Sequence, residues 1–80
     1  MTTNDAVAFR TINLLKEKKM TQYKLEKNSG IDHGAMDRIL SGKNKTITLT
    51  TIYKLARGFN ITFEEFMNDD IFHSTEMEID

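Results

Sequence analysis

The sequence predicts an all-α domain built from five helices, and three observations support that prediction. Apolar side chains recur at intervals of three and four residues, for example at Ile52, Leu55, Ala56 and Phe59. The chain contains no Pro, and a residue that favours the N-cap position precedes each amphipathic segment. A length of 80 residues suits one small domain with a single core.

The first two helices are placed by their caps. Helix one is predicted from about Asp5 to Lys18, with Asn4 as its N-cap. Helix two is predicted to start after Thr21 and to stop near Asn28, because Ser-Gly follows as a turn signal and Gly readily adopts a positive φ.

Helices three and four are placed in the same way. Asp32 is expected to cap helix three, which ends at Ser41-Gly42. Thr48 is expected to cap helix four, which runs through Arg57, and Asn60 suits the left-handed position beyond its end.

The fifth helix is short, and the segment before helix four has an alternative interpretation. Thr62 and Glu65 form a predicted capping box for a helix that reaches about Met67. The composition of Lys45–Tyr53 is also compatible with a β-strand. We favour helix there because the apolar spacing that follows is helical and a lone strand has no partner elsewhere in the chain.

Charge is distributed unevenly along the chain. Residues 1–67 contain all 11 Lys and Arg and 7 acidic residues, for a net charge of +4, whereas residues 68–80 contain five acidic residues and no base, for −5. The sequence therefore predicts a mildly basic globule at residues 1–67 and an acidic C-terminal tail at residues 68–80. We expect Ile71 and Phe72 to dock on the core and the rest of the tail to be solvated.

Composition argues against several classes of site. The chain has no Cys and only two His, so disulfides and a zinc site are not expected, and we predict neither a metal nor a cofactor. No apolar run approaches the roughly 18 residues of a membrane span, and the polar start of the chain lacks the features of a secretory signal. We therefore expect a cytoplasmic protein that does not bind membranes.

The segment Met20–Lys43 carries the functional signal. It consists of two short predicted helices, a tight turn that contains Gly, and a basic loop after the second helix. This arrangement is typical of a helix-turn-helix, in which the second helix enters the major groove of DNA.

Several short motifs appear together in a particular order along the chain. They are Met20-Thr21-Gln22, Leu25, Ser29-Gly30-Ile31, Met36, Ile39, Gly42-Lys43, Leu49-Thr50-Thr51-Ile52-Tyr53-Lys54-Leu55-Ala56 and Ile61-Thr62-Phe63-Glu64-Glu65-Phe66. By these motifs, Val7–Met67 resembles the phage-repressor and Cro-like helix-turn-helix family, also called the xenobiotic-response-element family. The resemblance implies a compact five-helix, lambda-repressor-like DNA-binding domain, with its helix-turn-helix at about residues 21–42.

The resemblance also implies which residues meet DNA. Met36 and Ile39 would face inward, which leaves the opposite side of helix three for base edges. The expected base contacts are Asp32, His33, Gly34, Asp37 and Arg38. The expected contacts with the DNA backbone are Gln22, Tyr23, Ser41, Lys43, Asn44, Lys45 and Thr46.

Arg38 is the first choice for base recognition, because its planar guanidinium can donate two hydrogen bonds to guanine. Its alternative role is an ion pair with Asp37, Glu26 or another carboxylate. His33 has the alternative of facing solvent with no role. The lysines of the loop would bind phosphate and add affinity without sequence information.

Three residues depart from the family pattern. Glu26 stands where the family usually has Ala, so we expect either an altered helix crossing or a pairing with a cation such as Arg38. Gly34 occupies a position where the family often has a base-contacting side chain. Asp32 and Asp37 would repel phosphates, although either could accept a hydrogen bond from cytosine.

The sequence favours a sequence-specific DNA-binding transcriptional regulator, a repressor that occupies an operator as a homodimer. The alternative is a protein-binding module, such as an antitoxin or an antagonist of another regulator. An enzyme is the least supported class, because the chain has no Gly-rich phosphate loop, no metal cluster and no nucleophile with a base.

Overall fold

Five α-helices follow one another in the computed structural model, which describes residues 2–44 and 46–73. They are α1 (Thr3–Glu17), α2 (Gln22–Ser29), α3 (His33–Ser41), α4 (Leu49–Gly58) and α5 (Phe63–Met67). A short 3-10 turn (Asp70–Phe72), which was not expected from the sequence, follows α5. The predicted all-α, five-helix class is confirmed.

Four helices begin at the predicted caps. The side chains of Thr21, Asp32, Thr48 and Thr62 each accept a hydrogen bond from the backbone amide three residues further on. Each of these bonds satisfies one of the amides that the first turn of a helix leaves free. The second half of the capping box predicted at Thr62 does not form among the described residues, since only the bond from the Glu65 amide is present.

The predicted start of α1 is wrong. Thr2 is the N-cap, and it forms a full capping box with Asp5: Thr2 Oγ1 accepts from the Asp5 amide at 3.1 Å, and an Asp5 carboxylate oxygen accepts from the Thr2 amide at 3.3 Å. Asn4 lies within the helix and is buried, and its side-chain amide donates to the carbonyl of Asn44. Local sequence identified Asn4 as a cap, but Asn4 joins the start of α1 to the loop after α3.

The predicted helix ends are also observed. Gly30 and Gly42 adopt left-handed conformations with φ of 77° and 72°, and Asn60 does so with φ of 59°. Lys19 is a further left-handed residue, with φ of 51°, in the connection between α1 and α2. In the segment considered as a strand, residues 46–48 have no regular structure and α4 begins at Leu49, so the helical interpretation is confirmed.

The core lies where α2 and α4, and α1 and α3, pack against one another. Its buried side chains are Val7, Leu14, Leu25, Ile31, Met36, Ile39, Ile52, Leu55, Ala56, Phe59 and Phe66. Because α2 and α3 have only eight and nine residues, they would be marginal as isolated helices. Burial of their apolar faces therefore holds the helix-turn-helix in place.

The segment after α5 is attached to the same body. Phe72 packs on the core, and its ring centroid lies 6.1 Å from that of Phe66, as expected from the sequence, while Ile71 is half-buried. Arg10 donates to the carbonyls of Glu65 and Phe66 and lies 3.4 Å from the Asp69 carboxylate. The acidic residues Glu76, Glu78 and Asp80, and with them most of the predicted tail, lie outside the described residues.

Gly58 lies at the closest approach of α4 to α2. A Cβ placed there would lie 2.7 Å from Leu25 Cδ1 and 2.9 Å from Ser29 Cβ. We therefore expect Gly58→Ala to lower the free energy of unfolding by about 1–3 kcal/mol through overpacking. Urea denaturation followed by circular dichroism would measure the change.

The matched control for Gly58→Ala is Gly34→Ala in α3. The nearest side-chain atom to a Cβ at Gly34 would be Asp32 Oδ1, at an ordinary contact distance of 3.5 Å. This variant should gain about 0.4–1 kcal/mol, because Ala restricts the unfolded chain more than Gly does. A Gly58→Ala protein that is as stable as the Gly34→Ala protein would contradict the close approach.

No helix in residues 2–44 and 46–73 is long and apolar enough to cross a bilayer.

Candidate nucleic-acid interface

Helix α3 has one face in the core and one face in solvent. Met36 is fully buried and Ile39 is 2% exposed, so both point inward as expected. The exposed residues of α3 and its N-cap are Asp32, His33, Gly34, Asp37, Arg38 and Ser41. This is the set that sequence analysis placed on the outer side.

The turn that orients α3 is held by α4. Ser29 is fully buried, and its hydroxyl accepts a hydrogen bond from the Ile31 amide at 3.2 Å. The Arg57 guanidinium donates to the Ser29 carbonyl at 3.0 Å, and the Asn28 side-chain amide donates to the Gly58 carbonyl at 3.3 Å. The angle between α2 and α3 is therefore fixed by contacts that come from outside the helix-turn-helix.

A polar network connects the exposed faces of α2 and α3. Gln22 Nε2 donates to Glu26 Oε2 and to Asp37 Oδ1, both at 2.8 Å. His33 completes the network, with Nδ1 2.8 Å from Glu26 Oε2 and Nε2 3.3 Å from Asp37 Oδ2. Because both amide hydrogens of Gln22 point at these carboxylates, Gln22 braces α3 against α2.

The two carboxylates favour the charged form of His33. The hydrogen bond that His33 donates to Glu26 is the largest effect that raises the pKa of His33 above 6.5. The charges of Asp37, Glu26 and Asp32 act in the same direction, against an opposing effect of burial. The imidazole remains 72% exposed, whereas the Glu26 side chain beneath it is only 12% exposed.

Glu26 pairs with His33 and not with Arg38, the cation that the sequence suggested as an example. Glu26 takes Gln22 and His33 as its partners. The Arg38 guanidinium has no ion pair or hydrogen bond with any residue in the described ranges. A Cβ added at Gly34 would lie 3.7 Å from Arg38 Nη1, so the Arg38 side chain extends back along the open side of α3 towards its first turn.

Asp32 has a structural role that limits its freedom. Its Oδ1 accepts from the Ala35 amide at 2.8 Å and thereby caps α3. Both carboxylate oxygens of Asp37 likewise face partners within the protein. Of the polar side chains expected to contact bases, Arg38 is the one with no partner in the described part of the chain.

Comparison with known proteins identifies the family. A family model described as a Cro/C1-type HTH DNA-binding domain matches residues 12–70. The chain belongs to this family. No curated protein and no solved structure matches the chain significantly. Membership establishes a DNA-binding domain of a transcription regulator, with DNA as its partner, and it agrees with the resemblance inferred from the motifs.

The remaining predicted contacts of this Cro/C1-type domain lie at the two edges of α3. Tyr23 at the start of α2 is 67% exposed, and the Lys27 ammonium lies 5.4 Å from the centre of its ring. The Ser41 hydroxyl donates to the Arg38 carbonyl at 3.2 Å.

The loop after α3 supplies the other predicted backbone contacts. Lys43 and Thr46 are exposed, and Asn44 is half-buried. The Lys43 amide donates to the Arg38 carbonyl at 3.0 Å, which fixes the start of the loop against α3. Lys45 lies outside the described residues, and the contacts of all these residues with DNA stay predictions.

The polar network of the Cro/C1-type domain was only partly visible in the sequence. The pairs Gln22 with Glu26, and His33 with Asp37, each have the four-residue spacing that joins side chains on a helix. Their union across the two helices depends on how α2 and α3 cross. Among the residues that the structure describes, no group of three or more His and carboxylate side chains is arranged to hold a metal ion.

Proposed function

We propose that this domain is a sequence-specific transcriptional repressor that occupies an operator by placing α3 in the DNA major groove. The observation that carries the proposal is that α3 has one buried face and one exposed face. Met36 and Ile39 anchor one face in the core. Arg38 lies on the other, exposed face, and its guanidinium has no partner within residues 2–44 and 46–73. An arginine placed in this way suits a guanine edge, which offers two acceptors.

Recognition of bases and contact with the backbone are divided between different parts of the surface. Arg38 is the main base contact, and the open surface at Gly34 allows close approach of the duplex. Asp32, His33 and Asp37 flank Arg38 and contribute to the electrostatic potential of the surface that faces the bases. Gln22, Tyr23, Ser41, Lys43, Asn44, Lys45 and Thr46 line the expected path of the phosphates.

Two copies of the domain are expected on each operator. One recognition helix buries little surface, and useful affinity commonly requires two half-sites about 34 Å apart along the duplex. We therefore propose a homodimer on DNA. Sedimentation of the protein with a duplex that contains both half-sites should show two chains per duplex, and saturation at one chain would contradict the dimer.

A protein-binding module is the second candidate. It is favoured by the carboxylates of Glu26, Asp32 and Asp37, which surround the face that would meet DNA and would repel phosphates. An antitoxin or an antagonist of another regulator is the form that this function would take. Selection of bound duplexes from a random pool, followed by binding measurements at two salt concentrations, separates the two candidates.

The test of DNA recognition is selection of bound duplexes from a random pool, followed by fluorescence anisotropy with the selected sequence and a shuffled one. A repressor domain should bind the selected duplex about a thousandfold more tightly than the shuffled one. Both affinities should fall steeply between about 50 mM and 200 mM salt, because phosphate contacts release counterions. Absence of an enriched sequence, together with binding that ignores salt, would favour the protein-binding module.

A further inference from the structure

The surface that meets DNA in the proposed function contains a cluster whose charge depends on a single proton. His33 lies at the first position of α3, between Glu26 from α2 and Asp37 one turn further along α3. Both carboxylates are within 3.3 Å of a ring nitrogen, and Asp32 at the N-cap is the remaining acidic neighbour. Gln22 is the uncharged member of the cluster.

Only the imidazolium satisfies both contacts of His33. A neutral imidazole has one N–H donor and one acceptor nitrogen, so whichever nitrogen lacks the proton presents a lone pair to a carboxylate oxygen. The imidazolium donates to Glu26 and to Asp37 together. Its geometry therefore makes His33 a proton-dependent link between α2 and α3.

We propose that protonated His33 is a positioning residue for DNA recognition: it holds α3 against α2 through Glu26 and Asp37, offsets their negative charge, and thereby strengthens operator binding as the pH falls. This inference rests on the proposed function. It changes the role expected for His33, because both ring nitrogens are directed at the protein and neither is free to contact a base.

The sign of the effect follows from charge. In the free protein the pKa of His33 is already raised, so the link is complete below the ordinary pKa of 6.5 and is lost as the pH rises through the raised value. Phosphates of a bound duplex favour the imidazolium further, which raises the pKa again in the complex. A group whose pKa rises on binding makes the complex tighter at low pH.

The test is operator affinity measured by anisotropy between about pH 5.5 and 8.5 at constant ionic strength, a range in which His is the side chain that ordinarily titrates. The unmodified domain should bind about tenfold more tightly at the low end, which corresponds to a pKa difference of about one unit between free and bound protein. His33→Gln should bind with little dependence on pH. His73→Gln, which removes the other histidine of the chain, should keep the full dependence.

A second measurement follows the His33 ring protons by NMR in the protein without DNA. Their titration midpoint should lie above 6.5 and should move down in Glu26→Gln, because Glu26 makes the largest contribution to the raised pKa. A midpoint unaffected by Glu26→Gln, or a pH dependence that survives His33→Gln, overturns the inference but leaves the repressor proposal standing. Failure to bind any duplex at any pH would overturn both.

Discussion

Arg38→Ala should reduce affinity for the selected operator by about tenfold to a hundredfold, a loss of about 1.4–2.8 kcal/mol. Binding to a shuffled duplex should change far less. The reason is that the Arg38 guanidinium has no partner within the described residues, so its two parallel N–H groups are available for a guanine edge. Anisotropy with operators substituted one base pair at a time would show the lost preference at a single position of each half-site.

The matched variants separate charge from geometry. Arg38→Lys keeps the positive charge but loses the two parallel N–H groups of the guanidinium. It should therefore lose the preference for the operator base pair while retaining affinity for shuffled DNA. Lys43→Ala, in the loop after α3, should weaken binding to all sequences and reduce the slope of affinity against salt by about one. Equal losses on operator and shuffled DNA from Arg38→Ala would contradict its assignment as a base contact.

The fold should not respond to Arg38→Ala. Its side chain is exposed and makes no ion pair with the described part of the chain, so the free energy of unfolding should change by no more than about 0.5 kcal/mol. Urea denaturation of the variant supplies this check, and a larger loss would mean that reduced binding reflects a damaged fold.

Met36→Ala should lower the free energy of unfolding by about 2–5 kcal/mol. Met36 is fully buried on the inner face of α3, so truncation removes apolar contacts and leaves a cavity that its neighbours can only partly fill. The total free energy of unfolding of a small domain is about 5–15 kcal/mol, so the expected loss is a large fraction of the total. Urea denaturation and the thermal midpoint would measure the loss.

Met36→Leu is the control for that prediction. It keeps most of the volume in the same place and should cost less than about 1.5 kcal/mol. Met36→Ala should also bind the operator more weakly than Met36→Leu, because α3 is too short to stay helical without its buried face. A Met36→Ala protein as stable as Met36→Leu would show that α3 is held chiefly by its polar contacts with α2.

Much of the fold was predictable because helix starts and ends are local. Thr21, Asp32, Thr48 and Thr62 cap helices as expected, since a capping side chain needs only an amide three residues away. Asn4 shows where that logic fails. Thr2 caps α1 instead, and the Asn4 side chain donates to the carbonyl of Asn44, which is 40 residues away in the chain.

The sequence predicted which face of α3 is exposed, but it did not predict which side chains contact one another on that face. The inward positions of Met36 and Ile39 follow from helical periodicity, and they determine which residues remain outside. Helical periodicity does not determine which side chain contacts Glu26. The sequence suggested Arg38 as an example of a cationic partner for Glu26, whereas the crossing of α2 over α3 brings His33 Nδ1 to 2.8 Å from its carboxylate.

By itself, the sequence determined the five helices, the caps of four of them and the inward face of α3, because those depend on spacing and on hydrogen bonds within a few residues. Tertiary structure alone decided that Arg38 has no partner among the described residues, that His33 joins Glu26 to Asp37, and that Gly58 has no room for a side chain. These outcomes depend on distances of a few ångströms between segments far apart in the chain. No local pattern encodes such distances, since they are set by how all the helices pack at once.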